Sequence, residues 1–313
     1  MMHVHMIGLV VAIALMTRWL TRPQVLLQDQ ALSATAWDSR WHRALTAFVM
    51  PPLLLLTTAV AIVTMGAGSC HAWEGLLTYS ISLTFLFVAV GLWGQLVWRV
   101  HKMRRQIFHC SHRVVHTDSH ADSPRTLGTV LAKVLAVPEI FSAQVGLWSS
   151  DLVVSDGLLR QLDAEHLEAV LAHEAGHAYY RDTFWFFWLG GLRRLTAWLP
   201  YSEALWQELL LLREIRADKW AAQRVDPLVL AESLVSVISA PLMPTEAVCA
   251  SFSCVAPRSR LAQRIEALLF EGIVDETVAG GGISLKRPFL LLSGPWVGVA
   301  VAMTPLLTIP FHH

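Results

Sequence analysis

The chain is predicted to be mainly α, with about four membrane helices carrying a cytoplasmic α+β domain. Three observations predict this. Apolar residues make up 54% of the 313 positions and charged residues only 15%, where a soluble domain carries about a quarter charged. Long apolar runs nearly free of charge recur at both ends of the chain. Arginine and lysine gather in alternate loops between those runs. The formal net charge is zero, so no basic surplus points to nucleic acid, and no direct nucleic-acid binding is expected.

The first span is expected at about His3 to Leu20. It has no Lys or Arg before its apolar run MIGLVVAIALM and no small-residue cleavage site after it, so it reads as a retained helix rather than a signal peptide. The second is expected at about Ala44 to Met65, with Pro51-Pro52 kinking it or beginning it. The third, Leu76 to Trp98, is free of charge throughout. The fourth runs from Phe289 to Phe311, interrupted by Pro295, Pro305 and Pro310. Arg18, Arg22, Arg40 and Arg43 surround the first loop; the loop GAGSCHAWEG has no basic residue. Arg99, Lys102, Arg104, Arg105 and Arg113 follow the third span, and Lys286-Arg287 precede the fourth. The positive-inside rule then places both termini outside and the region from about 100 to 287 in the cytoplasm. The expected units are 1–105, three membrane helices; 106–287, the cytoplasmic domain; and 288–313, the last helix. Thirteen tryptophans suit membrane interfaces.

Within the cytoplasmic region, Leu127 to Leu135 reads as helix. Ala143 to Trp148 and Asp151 to Ser155 read as short strands, the first a candidate edge. Asp156 is expected to cap a helix through Leu162. Phe184 to Pro200 is apolar and Trp-rich but too short to span; it reads either as an interfacial segment or as a buried helical link. His109, His112, His116 and His120 read as a polar linker, with accessory metal binding as the alternative. Cys70, Cys110, Cys249 and Cys254 are scattered and form no metal-binding pair. Gly280-Gly281-Gly282 reads as a flexible joint, with self-cleavage around Asp275 to Leu285 as a hypothesis.

The chemistry concentrates in LEAVLAHEAGHAYYRD. His173 and His177 are four apart, so a helix puts both imidazoles on one face, able to share one metal ion. Glu174 can stand beside that metal without binding it and take a proton from the attacking water. Leu167, Val170 and Leu171 give helical apolar spacing, and Asp163 is the expected N-cap. The competing explanation is a chance H-E-x-x-H on a surface helix. A catalytic zinc needs a third protein ligand. A histidine six residues on, after a glycine, is excluded, because Tyr180 and Thr183 stand at those places. Among Glu203, Glu208 and Glu214, the choice falls on Glu214. Asp218 lies one turn further and can accept the free N–H of a liganding imidazole. Ala217, Ala221 and Ala222 let that helix pack closely. The alternative for Glu214 and Asp218 is a solvated face paired with Arg213, Arg216 and Lys219. Tyr179, Tyr180 and Arg216 are oxyanion candidates by proximity alone.

HEAGH, then REIRADKWA, then a closing hydrophobic segment resembles the membrane-embedded gluzincins. The nearest likeness is the BlaR/MecR antirepressor type (peptidase family M56), with the HtpX/CAAX-protease type (M48) as near relative. The resemblance implies a zinc metalloendopeptidase holding one Zn²⁺ on His173, His177 and Glu214, with Glu174 as general base and Asp218 matching the second motif's aspartate. It implies a bacterial inner-membrane location, and a protein substrate such as a BlaI-like repressor. Antibiotic-sensing members add a penicillin-binding domain. The sequence ends at Phe311-His312-His313, so that sensor is expected to be absent. An HtpX-like quality-control protease and a non-catalytic zinc-containing receptor or scaffold remain as alternatives; the intact Glu174 argues against the last.

Overall fold

A computed structural model describes residues 2–26, 34–66, 72–108, 111–116, 129–239, 260–275 and 302–306. These are mostly helical, with one small sheet. Three long helices come first: α1 (Met2–Leu26), α2 (Ala34–Met65) and α3 (Ala72–Phe108). Each contains a stretch long and apolar enough to cross a membrane: Val4–Thr21, Trp37–Met65 and Trp73–Arg105. The helices outrun the expected apolar spans because helical hydrogen bonding continues through good helix formers such as Arg and Lys after hydrophobicity has ended. Of the fourth expected span only 302–306 is described. There Ala302 packs with Val10 of α1 and Leu54 of α2. The glycine joint and the four cysteines lie outside the described residues.

Pro51 and Pro52 stand inside α2, not at its start. Proline has no N–H, so Pro52 leaves the Phe48 carbonyl without its helical donor. Arg18 of α1 fills that gap. Its side chain is fully buried, its Nη2 donates to the Phe48 carbonyl at 3.2 Å, and its guanidinium lies 5.4 Å from the Phe48 ring centre.

The sheet comprises β1 (Ser111–His116), β2 (Thr129–Leu135), β3 (Ser142–Val145) and β4 (Asp151–Ser155), in the order β1-β2-β4-β3. β2 runs parallel to β4, and the two outer pairings are antiparallel. Two expectations are corrected here. The stretch expected as helix is β2: Leu131 is exposed while Ala132 and Val134 are buried, the period-two alternation of a strand, and β-branched Val130 and Val134 favour it. Residues 111–116, expected as linker, form β1. His112 and His116 pair across to Lys133 and Thr129, and His120 is not described.

Six helices follow: α4 (Asp156–Gln161), α5 (Ala164–Tyr179), α6 (Asp182–Leu195), α7 (Ser202–Ala222), α8 (Pro227–Ser239) and α9 (Leu261–Asp275). Ser155, not Asp156, caps α4. Its hydroxyl accepts from the Leu158 N–H at 3.0 Å, the bond an N-cap makes. Asp163 caps α5 as expected, accepting from the His166 N–H at 2.9 Å. The Trp-rich segment is α6, the helical link between α5 and α7. It buries Phe186, Leu189 and Leu192 in one cluster with Trp41 and Phe48 of α2 and Leu205, Trp206 and Leu209 of α7. Thus α2, a membrane-length helix, shares a core with α7. α5 is enclosed on two sides. Leu167, Val170 and Leu171 face the sheet through Val134, Leu152 and Val154. Ala169 and Ala172 meet Ala221 of α7, Leu230 and Leu234 of α8, and Leu268 of α9.

Candidate metal centre

The third side of α5 carries His173 and His177, and it faces α7. The approach is close because the residue there is Gly176. A Cβ added to it would sit 3.2 Å from both the Cα and the carbonyl oxygen of Ala217. Small residues on both helices bring Glu214 up to the imidazole pair. His173 and His177 turn their Nε2 atoms towards each other, 3.1 Å apart. Glu214 Oε2 is 3.4 Å from His173 Nε2 and Oε1 is 3.7 Å from His177 Nε2. Tetrahedral zinc with ligand bonds near 2.05 Å needs ligand atoms about 3.3 Å apart. The donor chemistry, two imidazoles and one carboxylate, and these spacings fit such an ion. Among the described residues, His173, His177 and Glu214 are the one group of three whose ligand atoms all lie within 4.8 Å. Glu203 pairs instead with Arg193, and Glu208 with Arg40 and Arg260.

Each imidazole is held from behind by a different carboxylate. His173 Nδ1 lies 2.8 Å from Asp218 Oδ1. Asp218 in turn receives two bonds from Arg264 of α9, at 2.8 and 2.7 Å. His177 Nδ1 pairs with Asp182 Oδ2 at 2.8 Å, and Arg216 donates to the other Asp182 oxygen. Burial by itself would raise the Asp218 pKa, but Arg264 and His173 together outweigh it and hold the carboxyl below its usual range. Burial would likewise raise Glu214. Arg213 and the two imidazoles outweigh it and hold Glu214 well below the usual carboxylate range. These groups are buried, Asp218 and Asp182 almost completely, so the solvated-face alternative for α7 does not hold. Arg213 contacts Glu214, and Arg216 lies on Asp182.

Glu174 is buried beside the triad without joining it. Ser142 of β3 donates from its hydroxyl to Glu174 Oε1 at 2.8 Å, and Gln144 Nε2 donates to the Glu174 carbonyl at 3.2 Å. β3 is the sheet edge, as expected, but it stops at Val145. Gly146 follows at φ +138, where a Cβ would lie 2.0 Å from the Ser149 carbonyl oxygen. Trp148 is therefore in the turn, against Phe184 of α6.

Three of these neighbours escaped sequence reasoning: Asp182, Arg264 and Ser142. Asp182 is brought back to its imidazole by Arg181, which adopts φ 54 at the end of α5. The only sequence signal was an acidic residue five places after His177. Ser142 precedes the expected strand by one residue, and Arg264 is remote in sequence from everything it touches. Of the oxyanion candidates, Arg216 is committed to Asp182, and Tyr180 lies against that guanidinium at 4.2 Å.

Paired imidazoles with an acidic ligand, a carboxylate beside them and an edge strand alongside make an arrangement compatible with a metalloprotease. Comparison with known families agrees. Residues 120–269, just under half of the chain, match the model of Peptidase family M48, which supports a zinc metallopeptidase of the M48 type. The BlaR/MecR likeness receives no support from this match. No curated protein and no solved structure matches the chain.

Proposed function

We propose that the protein is a membrane-bound metalloendopeptidase that hydrolyses peptide bonds of cytoplasmic or membrane proteins, its domain on the cytoplasmic side of a bacterial inner membrane. The observation that carries this reading is the spacing of His173, His177 and Glu214, with Glu174 beside them. His173, His177 and Glu214 would hold one zinc ion. When bound, zinc supplies a Lewis acid and lowers the pKa of water towards neutrality. Glu174, aimed by Ser142, takes the proton of the attacking water and passes it to the leaving amine. Asp218 and Asp182 fix the tautomers of the two imidazoles, leaving each Nε2 lone pair for the metal. The free edge of β3 offers backbone groups to an extended substrate, which would lie along it next to Glu174.

The M48 match favours HtpX-like membrane quality control over cleavage of a BlaI-like repressor. The test is incubation of the purified full-length protein, and of Glu174→Gln, with membrane and cytosolic proteomes, followed by mapping of new termini. New termini should arise only with the unaltered protein and disappear on chelation. The same termini from Glu174→Gln would overturn the catalytic reading. Termini confined to damaged membrane proteins favour quality control, and a single cut in a small repressor favours signalling.

A further inference from the structure

We propose that Trp41, on the membrane-length helix α2, is a positioning residue for the metal centre, acting on His177 through Arg216 and Asp182. The inference rests on His177 being a metal ligand. Arg216 is 6% exposed, and its guanidinium lies over two aromatic rings, 4.7 Å from the Trp41 centre and 4.2 Å from the Tyr180 centre. A planar guanidinium is weakly hydrated and stacks on such faces, so the rings both offset its desolvation and fix its plane. From that position it bonds one oxygen of Asp182, and the other oxygen holds His177 Nδ1 at 2.8 Å. Asp182 itself is 2% exposed and opens α6, whose N-cap, Arg181, makes no side-chain cap bond. Among the described residues, His177 and Arg216 each hold one oxygen of its carboxylate.

Trp41 is the contribution of a helix that is otherwise part of the membrane bundle. It stacks on Trp37 at 5.8 Å and shares its cluster with Phe48, Leu209 and Leu212. The neighbouring Arg40 pairs with Glu208 on α7, so α2 is clamped to α7 one residue before the tryptophan. A change that moves α2 relative to α7 would shift the ring face on which Arg216 lies, and with it the back of the second imidazole.

The experiment measures zinc affinity of the full-length protein by chelator competition, with the visible spectrum of the cobalt-substituted form as a second readout. Trp41→Leu removes the ring face but keeps an apolar side chain; it should lose about tenfold in affinity, at the low end for a residue behind a ligand, and shift the cobalt bands. Trp41→Phe keeps a ring and should bind within about twofold of the unaltered protein. Phe48→Leu, in the same cluster but off this chain of contacts, should lower thermal stability without moving affinity or spectrum. Arg216→Lys keeps the charge but not the plane, and tests the same link should Trp41→Leu not fold; it too should lose about tenfold. His177→Ala separates the two claims. Zinc binding unchanged in His177→Ala defeats the ligand reading itself. Loss there, with Trp41→Leu and Arg216→Lys binding normally, or with Phe48→Leu losing as much as Trp41→Leu, defeats the proposal for Trp41 alone.

Discussion

His173 and His177 stand one turn apart on α5, yet different parts of the molecule hold them. Behind His173 are Asp218 and Arg264, from α7 and α9. Behind His177 are Asp182, Arg216 and Trp41, from α6, α7 and the membrane-length α2. The first support is an ion pair closed within the part of the chain that follows the sheet. The second is open to the bundle. The lesson is that a two-imidazole site need not be symmetric in its supports. One side can be set by domain packing while the other is sensitive to where a neighbouring helix sits.

The difference can be attacked from its strongest point downward. Arg264→Ala should be the most damaging change. It strips Asp218 of its two charge-assisted bonds and leaves this buried carboxylate with the His173 imidazole alone, which costs about 3–5 kcal/mol and should be read as a large fall in the thermal midpoint. Next, Asp218→Asn and Asp182→Asn should each weaken zinc affinity by roughly 10–100-fold, measured by chelator competition. If only one does so, the two supports are unequal in kind and not merely in origin. In a double-substitution cycle, Trp41→Leu should add little to Asp182→Asn but add fully to Asp218→Asn, because only the first pair shares a support.

A smaller effect tests the close helix crossing common to both supports. Gly176→Val would press on the Ala217 backbone, and overpacking of this kind costs about 1–3 kcal/mol, seen in the same melting experiment. The smallest lies at the start of α5. The His166 ring pairs with Asp163 and Glu232, and the Asp163 bond raises its pKa above 6.5 against the opposing effect of burial. A raised folded pKa gives stability that is complete below 6.5 and fades as pH rises through the folded value. His166→Gln should therefore lower the melting temperature by about 1 °C at pH 5.5 and leave it unchanged at pH 9, since exposed pairs contribute little.

The parts of the site legible in the sequence are those set by one helix. Four-residue spacing brought out the imidazoles and the Glu214–Asp218 pair, and a single acidic residue before an apolar run marked the Asp163 cap. What was not legible depends on contacts between elements. Arg264 meets Asp218 across 46 residues, and no local pattern marks that pairing. Asp182 depends on a left-handed turn at Arg181, a residue type with no special preference for it. In the fold, apolar length identified the three long helices, but not where they end. β2 was misread because a short stretch of apolar residues broken by Lys133 is compatible with either period, and its parallel pairing with β4 decided the matter.

The Arg18 guanidinium on the bare Phe48 carbonyl has a bearing on how α1 and α2 come together. Two consecutive imino acids in the middle of a hydrophobic helix leave acceptors that apolar surroundings cannot satisfy. Because the replacement donor comes from the preceding helix, the second segment reaches its final burial only alongside the first. The two helices are thereby coupled as a pair, and without α1 the buried Phe48 oxygen would lose its replacement donor.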